Sequence, residues 1–194
     1  MSLLGWLLLA GGLALWSAAH LLRRVRPDLR ARLGDAANPK DPSKGIFAVA
    51  IVAALLMMIY GYQWTPFITV WFPPVWTVHV TNLLMVLALY LYGAGATKIR
   101  VAQRIRHPQL IAFKTWALAH LLVNGDLASL VLFGGLLAWA VVEVVQINRA
   151  EGKTWTPPAS AGPGREVVHA GLTAALFGLV AFIHTWLGVY PFPS

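Results

Sequence analysis

The 194-residue chain contains no cysteine, which excludes disulfides, thiolate metal ligands and cysteine nucleophiles. Six histidines are then the only strong nitrogen ligands it offers a metal. Charge is scarce as well: 11% of residues are charged against 58% hydrophobic, and the mean hydropathy is +0.67. Soluble domains carry about 25% charged residues, so the composition excludes that class and indicates an integral membrane protein. The N-terminal MSLLGWLLLAGGLALWSAAH lacks the basic n-region of a signal peptide and runs into Arg23, Arg24 and Arg26. It reads as an uncleaved first span.

What is present is a series of apolar runs. A span needs about 20 apolar residues to cross ~30 Å of hydrocarbon. Six runs qualify: Leu3 to Leu22, Gly45 to Tyr62, Trp76 to Thr97, Gln109 to Val123, Leu127 to Asn148 and Val167 to Tyr190. The fourth is short. Residues 1–194 are read as a single all-α polytopic membrane domain of about six transmembrane helices, with a helix bundle as its architecture.

The net charge of +8 does not indicate nucleic acid, because the basic residues fall in short runs between apolar segments. Seven Lys or Arg lie between Arg23 and Lys44, four between Lys98 and Arg106, and three between Arg149 and Glu166. The loop Gln63 to Val75 and the C-terminal tail carry none. The positive-inside rule makes the basic side cytoplasmic and sends both termini outside. The uncharged loop, QWTPFITVWFPPV, is proline-rich and flanked by Tyr60, Tyr62, Trp64, Trp71 and Trp76; such rings suit the outer headgroup level.

Against this background the segment Arg106 to Gly135 is anomalous, because polar groups in lipid are costly and mark function. It holds His107, Lys114, His120 and an Asn124-Gly125-Asp126 turn. Asn124 or Gly125 is expected to close a helix in the left-handed conformation, and Asp126 to cap the next one. Asn124 and Asp126 are also candidate catalytic or proton-delivering residues. Lys114 and Glu143 lie at similar depth from the cytoplasmic ends of their spans and are expected to form a buried pair, with snorkelling of Lys114 toward the cytoplasm as the competing account.

Depth along each span sorts the histidines. At 1.5 Å per residue, His20, His107 and His169 fall near the cytoplasmic boundary, and His79, His120 and His184 in the outer half. A haem held by two histidines needs both imidazoles at similar depth, a condition the outer trio meets. His79, His120 and His184 are thus the candidate metal ligands. Asn124, one turn beyond His120, is a candidate acceptor for that imidazole's other nitrogen.

Several motifs together carry a resemblance. RHP at Arg106 to Pro108, WALAHLLVNGDLAS at Trp116 to Ser129 and LFGGLLAWA at Leu132 to Ala140 resemble the NnrU family of bacterial membrane proteins, as do His20 before its basic residues and HTWLG at His184 to Gly188. The resemblance covers essentially the whole chain and implies a multi-pass protein of the bacterial cytoplasmic membrane. It also implies a link to denitrification and nitric oxide metabolism. The family is related to the zeta-carotene isomerase of plants and cyanobacteria, which uses b-type haem to isomerise a double bond. By that relation haem b would be held at His20 and His120, whereas depth favours His184 as the partner of His120. Ala117 stands where the plant enzyme has a cysteine, so no ligand switch through that position is expected.

Two functions follow as expectations. One is a haem protein performing isomerase or redox chemistry, with a hydrophobic small molecule or a membrane redox partner and the lipid bilayer as surroundings. The other is a non-catalytic accessory factor for nitric-oxide-linked denitrification enzymes.

Overall fold

The computed structural model describes residues 2–35, 38, 40–152 and 154–192. These residues form α1 (Ser2–Val25), α2 (Pro27–Arg32), α3 (Ser43–Trp64), α4 (Thr77–Thr97), a 3-10 turn (Arg100–Gln103), α5 (Pro108–Val123), α6 (Leu127–Glu151) and α7 (Pro163–Trp186). No strand occurs among them; β-type pairing is confined to an isolated bridge between Thr69 and Asp126. Helices α1, α3, α4, α6 and α7 are long and apolar enough to cross a membrane. The short fourth run folds as α5, whose 16 residues extend only ~24 Å at 1.5 Å per residue.

Local sequence accounts for the helix ends. Pro27 stops α1 and opens α2 at its first turn, where the missing N–H costs nothing. Pro108 and Pro163 open α5 and α7 in the same way. Asp126 caps α6, accepting from the Ser129 N–H, as the sequence predicts. Helix α2 lies inside the first basic stretch and was not predicted, although Pro27 followed by Asp28 is a helix-start signal.

The chain divides into two compact units, one of residues 1–70 and 126–152, the other of 71–125 and 153–194. In the first, α1 packs on α3 and α6. The α1–α3 contact runs over glycines: a Cβ on Gly5 would lie 2.6 Å from the Trp64 carbonyl carbon, and one on Gly12 would lie 2.9 Å from Ala54 O. Small residues thus bring two backbones together, the usual device of membrane helices. In the second unit α4 packs on α5 and α7.

The basic loop between α2 and α3 is ordered by its own polar groups. The Arg30 guanidinium, 7% exposed, donates to Gly34 O at 2.9 Å and Ser43 Oγ at 3.0 Å, and lies 4.4 Å over the Phe47 ring. The Asp41 carboxylate accepts from the Asp35 and Ser43 N–H groups at 2.7 and 2.8 Å. Hydrogen bonding, led by the Ser43 side chain, holds the Asp41 carboxyl below the usual aspartate range. A carboxyl whose pKa is depressed on folding stabilises above its unfolded pKa, and this contribution is lost as pH falls through the folded one. Amide protection at Asp35 and Ser43, corrected for intrinsic exchange, is therefore expected to hold at neutral pH and to fall on acidification below the ordinary aspartate range. In Asp41→Asn it is expected to be low and flat across that range.

Candidate functional site

Three of the candidate histidines share one local geometry. Nδ1 of His20, His120 and His184 lies 2.8, 2.9 and 2.8 Å from the carbonyl oxygen four residues earlier, on Trp16, Trp116 and Val180. A carbonyl can only accept, so Nδ1 carries the proton and Nε2 the lone pair in each neutral ring. That tautomer, held by a backbone acceptor, is the usual state of an imidazole that ligates through Nε2.

In the second unit, His120 and His184 lie within electrostatic reach of one another. The His120 ring is 5.0 Å from that of Trp116, and the adjoining Ala117 and Ala119 are fully buried. Asn124 does not serve the imidazole as expected. Its Nδ2 donates to His120 O at 2.8 Å, because the Trp116 carbonyl, at the helical i−4 position, already takes the ring N–H. His79 is exposed in the first turn of α4.

The left-handed closure expected at Asn124 or Gly125 does not occur. Asn124 is extended, with φ −114° and ψ 105°, and Gly125 is not among the positive-φ residues. Glycine is needed there for space instead. A Cβ at Gly125 would collide with Trp71 O, since the Trp71 N–H donates to Gly125 O at 3.1 Å.

His20 belongs to the first unit. Its ring lies 4.3 Å from Trp16 and 5.0 Å from Trp139, and the two indoles meet edge-on at 5.4 Å. One turn further along each helix stand Arg24 on α1 and Glu143 on α6. Arg24 Nε is 3.6 Å from Glu143 Oε1 and its Nη2 is 3.4 Å from Glu151 Oε1. The cation beside Glu143 within the first unit is Arg24; depth along separate helices does not determine which helices touch.

Asp126 is 3% exposed. Its Oδ1 accepts from the Ser129 N–H at 2.9 Å and its Oδ2 from the Ser129 hydroxyl at 2.6 Å. With that hydroxyl proton committed, the Tyr62 hydroxyl, 2.9 Å away, must donate to Ser129 Oγ. A chain of donors therefore runs from Tyr62 at the end of α3 to a buried carboxylate at the start of α6.

His169 is 3% exposed, and both ring nitrogens are engaged, Nδ1 with Thr97 Oγ1 at 3.1 Å and Nε2 with Tyr90 O at 2.8 Å. It locks α7 to α4 and has no nitrogen left for a metal. Among the described residues no three His, Asp or Glu side chains gather in a metal-holding group, which leaves pairs.

Trp16, Trp116, Trp139 and Ser129 were not singled out from sequence as site residues, and Tyr62 was read there only as a ring at the outer headgroup level. The recurrence of Trp-x-x-x-His at Trp16–His20 and Trp116–His120 was the available signal for the first two.

The family model described as NnrU protein matches residues 8–191. The chain belongs to the NnrU family. No curated protein matches it, and no solved structure does. The match takes in all three histidines of shared geometry and the Asn124 to Asp126 turn. With its membrane-length apolar helices, this NnrU-family chain is a multi-pass membrane protein.

Proposed function

We propose that this NnrU-family protein binds b-type haem, which His120 and His184 would hold, and uses it in redox or isomerase chemistry on a hydrophobic or small gaseous ligand. Its place is the bacterial cytoplasmic membrane, with the basic loops inside and both termini outside. The observation that carries the reading is the pair of Nδ1–H···O=C bonds that leaves Nε2 as the lone-pair nitrogen of His120 and of His184, on two helices that both pack on α4. The donor chemistry fits haem iron, which accepts bis-histidine ligation.

When bound, haem supplies coordination of a small molecule and one-electron exchange. The chain's own residues do the rest. The Trp116 and Val180 carbonyls fix the tautomer and orientation of the two rings, and Asn124 holds the His120 carbonyl at the helix end. The packed alanines beside His120 exclude water, which raises the electrostatic influence of the protein on any charge at the site.

The test is the visible spectrum of detergent-purified protein from haem-replete cells. A Soret band is expected in the wild type and in His79→Ala. It is expected to be lost, with tenfold or greater loss of haem affinity, in His120→Ala and His184→Ala. A folded, colourless wild type that takes up no added haemin would sink the proposal and leave the accessory role. Bleaching by His20→Ala with retention in His184→Ala would move the second ligand to His20.

A further inference from the structure

Charge is distributed very differently over the two units. In the first, Arg24 is met by Glu143 and Glu151, and Arg26 by Asp28, while Arg30 lies in the electrostatic field of Asp41. In the second, the only carboxylate among the described residues is Glu166, and both of its oxygens are occupied. Oε1 accepts from the Arg100 N–H at 2.7 Å and Oε2 from the Tyr90 hydroxyl at 3.5 Å. Among the described residues, Lys98, Arg100, Arg104, Lys114 and Arg165 have no ion-pair partner.

Lys114 is the most demanding of these. It stands six residues inside α5, about 9 Å from the Pro108 end, in a helix that carries no other Lys, Arg, Asp or Glu. An ammonium in hydrocarbon must find an anion or reach the interface, and the lysine stem allows it to reach back toward the start of α5. Leu118, one turn further on the same face, is 45% exposed, so α5 is open at that position. Arg104, just before α5, is exposed. No side chain caps the N-terminus of α5, and the helix dipole there adds to the positive potential.

We propose that this face binds an anionic phospholipid, with Lys114 and Arg104 meeting the headgroup phosphate and Leu118 lying along an acyl chain. The combination of a phosphate with an attached apolar tail matches what the sequence of exposures presents: an exposed arginine before α5, a lysine within it and an exposed leucine one turn beyond the lysine. Basic pockets at the cytoplasmic ends of membrane helices recognise such headgroups.

The experiment compares thermal unfolding of the full chain in nanodiscs of phosphatidylcholine with nanodiscs containing phosphatidylglycerol. Phosphatidylglycerol is expected to raise the melting temperature by about 5 °C, the effect of a ligand well above its Kd on a chain of this length. The double variant Lys114→Gln/Arg104→Gln is expected to lose more than half of that rise while melting unchanged in phosphatidylcholine. Arg32→Gln/Lys44→Gln, in the first unit, is expected to keep it. If the double variant does not fold in phosphatidylcholine, Arg104→Gln alone, at an exposed position, is read in the same way. The proposal is overturned by the absence of a rise in the wild type or by a rise undiminished in the variants. It is equally overturned by the same rise in phosphatidylcholine with inorganic phosphate, which would assign the site to a free anion.

Discussion

Gly61→Ala is expected to destabilise the protein by about 3 kcal/mol, at the upper end of what an overpacked contact costs. The new Cβ would press on the Leu9 amide nitrogen and stand 2.8 Å from Leu9 Cα and 3.0 Å from Gly5 O. All three are backbone atoms of α1, so no rotamer change relieves the clash and the helices must separate. Separation also loosens the contacts of Gly5 and Gly12, which rest on the same approach. Gly134→Ala is the matched control: nothing lies within 4 Å of its added Cβ. There the gain in helix propensity, close to 1 kcal/mol, is the only term. Reversible unfolding in mild detergent would measure both. A Gly61→Ala protein as stable as the wild type would show that α1 and α3 are not in this contact.

Asp126→Ala is expected to cost about 3 kcal/mol. It removes the α6 cap, worth ~1 kcal/mol, and strands the Ser129 N–H, with a buried unmet donor adding ~1–3 kcal/mol. Ser129 is 0% exposed, so water does not replace the lost acceptor. The Ser129 hydroxyl loses its acceptor too, which releases the Tyr62 contact that ties α3 to α6. Asp126→Asn keeps an oxygen for the Ser129 N–H and is expected to lose only about 1 kcal/mol. Unfolding in detergent gives the stabilities, and the visible spectrum gives the state of the proposed haem site. An Asp126→Asn protein with wild-type stability and spectrum but no turnover would assign the carboxylate a role in proton delivery beyond its cap.

The apolar runs, their bounds to within a few residues and the Asp126 cap were legible in the sequence. Each depends on local chemistry: a run long enough for the hydrocarbon, a proline at a helix start, a carboxylate before a helix. His20, His120 and His184 were legible as isolated polar groups in apolar helices. What holds their rings was not, because the i−4 carbonyl is a backbone group that every helix possesses, and only the rotamer shows that it is used. The cation that meets Glu143 in the first unit was not legible either: depth along a span orders residues in one dimension, and Arg24 reaches Glu143 because α1 packs on α6. Gly125 was misassigned because glycine serves both positive φ and close approach, and sequence does not distinguish a bent backbone from a crowded one.

The sequence alone determined that this is an all-helical, multi-pass membrane protein with basic segments between apolar helices, and its motifs placed it in the NnrU family. Hydropathy, proline and charge suffice for this because bilayer thickness and the cost of unpaired polar groups act on each segment separately. Only the tertiary structure decided that Tyr62, Ser129 and Asp126 form one donor chain, that Trp139 and Trp16 close around His20, and that α5 and α7, which carry His120 and His184, both pack on α4. Those are contacts between residues distant in the chain, set by which glycine and alanine faces let two helices approach, and no single segment carries that information.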